Sequence, residues 1–150
     1  MKTAAIFLFL LFPAFSPLLL ATHNPDDIIG FWMTSNNTLK VQVYKVGGEY
    51  RGKIIWFKDD HYKAKMDDCR DDQNPNPALR DRKILGLEVL TNLKYNAEDD
   101  NWEGGSIYDS NSGHTYDSVV NMNTASTITV TGYWMFTWIG KDLNFYRVSE

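Results

Sequence analysis

The residues able to do chemistry are few and scattered. Cys69 is the lone thiol of the 150 residues, and His61 and His114 are the imidazoles that could serve it as a base. A nucleophile also needs a third group to orient that base, and no local spacing brings such a set together. Cys69 lies in an Asp-rich segment, where negative neighbours disfavour the thiolate, so it reads as an incidental loop cysteine. Gly104-Gly105-Ser106 lacks the second glycine of a Gly-x-Ser-x-Gly elbow. Asp99-x-Asn101-x-Glu103-Gly104 imitates the opening of a calcium loop, but its twelfth position is Ser110 rather than a bidentate acid, so it reads as a turn entering a strand. Asp67, Asp71 and Asp72 lack the loop glycine as well. Carboxylates are abundant, yet no pair is singled out by position for hydrolysis. No catalytic residue, metal ligand or cofactor is assigned, and an enzyme is the least supported class.

Composition narrows the field further. Residues 1–21 carry one charge, Lys2, followed by an apolar run from Ala4 to Phe12 and by Leu19-Leu20-Ala21 before the polar stretch Thr22 to Asp27. That order predicts a secretory signal cleaved near Ala21, a mature domain of residues 22–150, and a periplasmic or secreted protein. A retained transmembrane helix is the competing reading, because the uncharged stretch approaches the ~20 residues that cross a bilayer. Pro13 and Pro17 interrupt it, so no stable membrane span is expected after cleavage. Without the leader the formal net charge moves from -4 to -5. An acidic domain with no basic stripe lacks the footprint of a nucleic-acid binder. One cysteine excludes an intrachain disulfide framework.

The elements that must position any site are strands. Period-2 alternation recurs in short runs bounded by turn residues, and helical periodicity is nowhere sustained. Eight strands are predicted: Ile28 to Thr34, Thr38 to Val46, Glu49 to Phe57, Ile84 to Tyr95, Asn101 to Tyr108, His114 to Asn121, Thr127 to Phe136 and Leu143 to Val148. Gly47-Gly48 supplies a two-residue hairpin turn. Hairpin-length connections describe an antiparallel up-and-down meander, and closing it into one all-β barrel removes its exposed edges. An eight-stranded barrel has an interior that side chains can fill or that holds one small ligand. The exception to the short connections is Lys58 to Lys83, between strands 3 and 4, long enough to expect either a functional loop or disorder. Within it Pro75 and Pro77 fix the backbone, Asn74 and Asn76 can cap turns, Ala78 to Arg82 can form a helical turn, and Leu79 offers an apolar anchor. An ordered lid over Asp71 to Arg82 is the expectation.

Gly30-Phe31-Trp32 on the first strand, with Arg147 on the last, resembles the Gly-x-Trp signature of lipocalins. There the tryptophan packs at the closed end of the barrel and an arginine lies over its ring, a cation-π contact. A wider resemblance covers nearly the whole mature chain. Tyr50-Arg51-Gly52-Lys53-Ile54-Ile55-Trp56, Asp71-x-x-Asn74-Pro75-x-Pro77-Ala78-Leu79-Arg80-x-Arg82, Leu85-Gly86-Leu87-Glu88, Trp102-Glu103-Gly104-Gly105-x-Ile107-Tyr108-Asp109, Ser112-Gly113-x-Thr115-Tyr116 and Arg147-Val148 look like the bacterial domain of unknown function family 2147. The resemblance implies an exported bacterial protein with a lipocalin-like (calycin-like) barrel, and it brings no established activity or cofactor.

Two roles for such a barrel stay open. One is binding of a small apolar or amphipathic ligand among Trp56, Trp102, Tyr108 and Tyr133, with Arg80 or Arg82 of the long loop meeting a polar or anionic head. The other is a cell-envelope structural or interaction module with a filled core and an apolar partner surface at Tyr133-Trp134-Met135-Phe136-Thr137-Trp138. Gly30, Trp32, Arg147, Pro75 and Pro77 are expected to be structural, and Arg80 to turn inward onto a barrel carboxylate such as Glu88.

Overall fold

Alternation writes the barrel. In the computed structural model, which describes residues 23–58, 65–133 and 140–150, eight strands form: β1 (Gly30–Thr34), β2 (Leu39–Val46), β3 (Glu49–Phe57), β4 (Glu88–Asn96), β5 (Asn101–Asp109), β6 (His114–Thr124), β7 (Thr127–Tyr133) and β8 (Gly140–Val148). Each pairs antiparallel with its neighbour in sequence, and β1 pairs with β8 to close the barrel. Val41, Val43, Tyr50, Ile54, Val120 and Ile128 occupy inward positions and are buried, so the period-2 pattern is the fold's main specification. The leader and the segments 59–64 and 134–139, with His61 and the apolar run after Tyr133, lie outside the described residues.

β6 runs on to Thr124 and β8 begins at Gly140, each three residues beyond expectation, and two strand starts shift for a local reason. The first strand begins at Gly30 because Pro25–Ile28 forms a 3-10 turn, capped by Asn24, whose Oδ1 accepts from the Asp26 N–H at 2.9 Å. The fourth begins at Glu88 because the chain turns over Ile84–Leu87, where Leu87 N–H donates to Ile84 O at 3.0 Å. Ile84 and Leu87 are buried nonetheless, in a cluster with Ile54 and Cys69 that fills the gap between β3 and β4. Cys69 is therefore a core residue of that cluster and not a solvated loop thiol.

A β-bulge decides which way β3 faces. Leu39 pairs with Phe57 and Lys40 with Trp56, yet Val41 pairs with Ile54, which leaves Ile55 as an extra residue. The extra residue reverses the in-out alternation beyond it. Phe57 therefore turns inward and Trp56 shares the outward face of Lys40.

Candidate functional site

The barrel's closed end is built by the chain entering it. The 3-10 turn Pro25–Ile28 buries Ile28 completely and presents carbonyls to two indoles. Trp32 Nε1 donates to Ile28 O at 2.8 Å and Trp102 Nε1 to Pro25 O at 2.9 Å. The Arg147 guanidinium lies 4.2 Å from the centroid of the Trp32 ring and donates to the carbonyls of Ala125, Asp27 and Ile29. Gly30 sits at φ 139°, and a Cβ there would stand 2.7 Å from Arg147 Nη1. Glycine, tryptophan and arginine thus form one unit, in which the missing side chain makes room for the cation that covers the ring.

Two carboxylates lock this plug from outside. Asp26 accepts from Lys45 Nζ and from Tyr50 Oη, each at 2.6 Å, and these bonds hold it below the ordinary carboxylate value. Asp100 accepts from Tyr95 Oη at 2.6 Å and from the His23 N–H at 2.8 Å, which lowers it likewise. Its hydrogen bond and then burial push Tyr95 up to about 12.

Above the plug the interior is hollow. A cavity of about 1530 Å³ rises from Trp32 and Val120 to a mouth at the opposite end. Its wall is made by Val41, Val43, Ile54, Leu90, Val130 and Phe145. Ordinary small-molecule sites run to ~300–1,000 Å³, so the space admits a long chain or a ring system with a headgroup.

The mouth is walled on one side by an ordered strap. Arg70 bridges to Lys83, and Asp71 N–H donates to Arg82 O at 3.0 Å, closing the intervening residues into one excursion. At its base Asp71 is fully buried, yet every neighbour of its carboxylate donates: Tyr108 Oη at 2.6 Å, Asn74 Nδ2 at 2.8 Å and Arg82 Nε at 2.7 Å. Burial and then the bond to Asp71 raise the Tyr108 phenol above its ordinary value. Asn74 and Asn76 accept from the N–H groups of Asn76 and Ala78, and Pro77 opens a 3-10 turn, Pro77–Leu79. Gly113 of the β5–β6 turn lies so close that a Cβ would meet Gln73 O at 2.1 Å. Leu79 is 39% exposed and is not the buried anchor expected of it; the buried residues of the strap are Asp71, Asn74 and Ile84.

The expected site residues separate. Tyr108 lies between the cavity and a smaller polar cleft of about 290 Å³ under the strap, which Arg82 also lines. Trp102 lies below the cavity floor, at ring distances of 5.1 Å from Tyr95 and 6.3 Å from His23. Trp56 faces out because of the bulge. Tyr133, next to the cavity-lining Gly132, falls on the outer face of β7 opposite Asp117. Arg80 does not pair with Glu88: its Nε donates to Asn74 O at 2.7 Å, while Glu88 binds Tyr44 and Arg51. Arg82 pairs with the loop's own Asp71, and its guanidinium lies 5.3 Å from the Tyr108 ring centroid. Pro75 and Pro77 shape the strap, and Gly30, Trp32 and Arg147 build the plug. The residues that sequence reasoning missed are the aliphatic wall and Arg70 at the mouth; the alternating Val41 and Val43 were legible as inward, but nothing in a sequence tells an inward side chain facing space from one facing another side chain.

A closed eight-stranded antiparallel meander, plugged by a Gly-x-Trp and arginine unit and hollow above it, is a lipocalin-like barrel. The family model for an uncharacterized protein conserved in bacteria, DUF2147, matches residues 30–147, and the chain belongs to that family. Among solved structures, the chain is similar to protein HP1028 from the human pathogen Helicobacter pylori, described as belonging to the lipocalin family. The two are 26% identical with a TM-score of 0.67, over 87% of this chain and 86% of that one. No curated protein matches the chain.

Proposed function

We propose that the protein is exported and binds a small apolar or amphipathic molecule inside the barrel. The observation that carries the binding reading is the cavity of about 1530 Å³ with its aliphatic wall. Burying a ligand's apolar surface there gains roughly 25 cal/mol per Å² removed from water. The description of the similar Helicobacter pylori protein as a lipocalin is consistent with this use of the barrel. The hollow interior weighs against the alternative of an envelope module with a filled core. Export rests on the sequence of residues 1–21.

The test of binding uses the fluorescent apolar probe N-phenyl-1-naphthylamine with the mature domain. Saturable uptake is expected, and Val130→Trp, which projects an indole into the cavity, should weaken it at least tenfold without lowering the melting temperature. Thr129→Trp, on the outer face of the same strand, should leave uptake unchanged. Absence of saturable uptake, or equal uptake by the Val130 variant, overturns the reading. Export predicts that protein recovered from the periplasmic fraction begins near Thr22 or His23; an intact Met1 on that material refutes it.

A further inference from the structure

The charged groups lining the mouth are not equally committed. Asp109 accepts from Asn111 N–H and Ser112 Oγ, and Asp142 accepts from Thr131 Oγ1. Asp72 accepts from Gln73 Nε2. These carboxylates are held by their own turn or cross-strand neighbour. Arg70 is different. Its Nη1 donates to the carbonyls of Asp67 at 2.8 Å and Cys69 at 3.3 Å, and it makes no ion pair among the described residues.

The other arginines have their Nε donors occupied. Arg51 Nε is on Glu49, Arg80 Nε on Asn74 O, Arg82 Nε on Asp71 and Arg147 Nε on Ala125 O. Among the described residues, Arg70 is the arginine whose Nε–Nη2 edge donates to nothing, and it is also the arginine that lines the cavity. That edge is the fork which takes a planar anion through two parallel hydrogen bonds. Nη1 meanwhile fastens the guanidinium to its own turn, so little side-chain freedom is left to lose when an anion docks. Lys141 across the mouth is a second lining cation with no ion pair among the described residues.

We infer that the cavity takes a single-chain amphiphile with a carboxylate head, the chain in the aliphatic barrel and the head on the Nε–Nη2 edge of Arg70. This deepens the binding reading and rests on it. It also moves the head contact away from Arg80 and Arg82, whose Nε donors are already occupied.

The experiment compares dodecanoate, dodecan-1-ol and dodecyltrimethylammonium as competitors of the naphthylamine probe, at low ionic strength and at a pH where dodecanoate is ionised. Dodecanoate should bind at least fivefold more tightly than dodecan-1-ol, and dodecyltrimethylammonium more weakly than either. Arg70→Gln should reduce the dodecanoate preference to below twofold and leave dodecan-1-ol affinity unchanged, which also reports that the barrel is intact. Because Arg70 braces its own turn, a salt titration of the unaltered protein gives an independent measure: the dodecanoate preference should shrink as ionic strength rises, while dodecan-1-ol binding does not. Equal binding of acid and alcohol, tighter binding of the cation, or a preference that survives Arg70→Gln overturns the head assignment and leaves the cavity reading standing. Failure of all three competitors and of the probe itself overturns the cavity reading instead.

Discussion

The two ends of this barrel solve opposite problems. At the closed end, two tryptophans that are at most 1% exposed each donate to a carbonyl of one short turn, and Arg147 answers three carbonyls from below. At the open end the lining residues grade into exposed Asn36, Asn111, Lys141 and Leu143, and order is supplied by the strap. The strap rests on buried Asp71 and Asn74 and on a small apolar cluster of Ile54, Cys69, Ile84 and Leu87, against which Leu39, Phe57, Val89 and Tyr108 pack. One apolar cluster runs from Ile28, Trp32 and Trp102 up into Val41, Val43, Leu90 and Phe145 of the cavity wall, whereas the polar bracing differs, with backbone carbonyls answered at the closed end and a buried carboxylate answered at the open one. The two ends thus differ in how polar groups are braced rather than in where apolar packing stops.

Breaking the closed end should have the largest effect. Trp32→Ala removes a fully enclosed indole and leaves the Arg147 cation without its ring, so denaturant unfolding should show a loss of ~3–5 kcal/mol, much of a domain's ~5–15 kcal/mol. Gly30→Ala attacks the same unit more gently. The side chain must occupy a φ of 139° and displace the guanidinium, a strain of ~1–3 kcal/mol. Equal stability of Gly30→Ala and the unaltered protein would show that the plug tolerates Arg147 moving.

At the open end the comparable cut is Arg82→Ala. It takes the cation from buried Asp71, which keeps its bonds to Tyr108 and Asn74. Leaving a buried acceptor short of a partner costs about 1–3 kcal/mol. The loss should be local: hydrogen exchange should quicken through Asp71–Arg82 while amides of β1 and β8 stay protected. Exchange that quickens equally in both places would show that strap and plug unfold as one unit.

How far the sequence could be read follows the same division. Strand order and closure were legible because alternation and turn residues act over a few neighbours, and Glu49 to Phe57 was bounded correctly. The Trp32–Arg147 contact was expected from the resemblance to the lipocalin Gly-x-Trp signature, and the pairing of β1 with β8 places the two residues opposite each other. Trp56 was misplaced because a single extra residue, Ile55, reverses the alternation, and a bulge leaves no mark in residue types. The strap's capping by Asn74 and Asn76 was legible as turn chemistry, whereas its anchor was not: Leu79 is 39% exposed, and the buried residues are the polar Asp71 and Asn74. A carboxylate becomes buriable only when three donors converge from 3, 11 and 37 positions away, a distance that local patterns do not span.

Acid should separate the ends more subtly. Asp26 and Asp100 have folded-state values lowered from 3.8, the first chiefly by Lys45 and the second chiefly by Tyr95. A lowered carboxylate contributes stability that is fully present above its unfolded value and is lost as pH falls through the folded one. The melting temperature should therefore hold steady down to about pH 4 and fall below it. Asp100→Asn should flatten that fall and lower the plateau, since the amide still accepts from Tyr95 but carries no charge. An unchanged acid slope in Asp100→Asn would remove this carboxylate from the account of the closed end.

The smallest effect belongs to the rim. Lys141 is exposed, and its ammonium makes no hydrogen bond or ion pair among the described residues. Lys141→Ala should lie within about 0.5 kcal/mol of the unaltered protein, as surface substitutions away from a cap or network do. Its expected consequence is in binding: with Arg70 retained, the preference for dodecanoate over dodecan-1-ol should shrink less than twofold, because an exposed ammonium on a flexible stem acts through a screened field and Arg70 offers a fixed fork. A larger loss of preference in Lys141→Ala than in Arg70→Gln would place the head on the β8 side of the mouth, opposite the strap. That ranking separates a site organised by the ordered strap from one organised by the barrel rim.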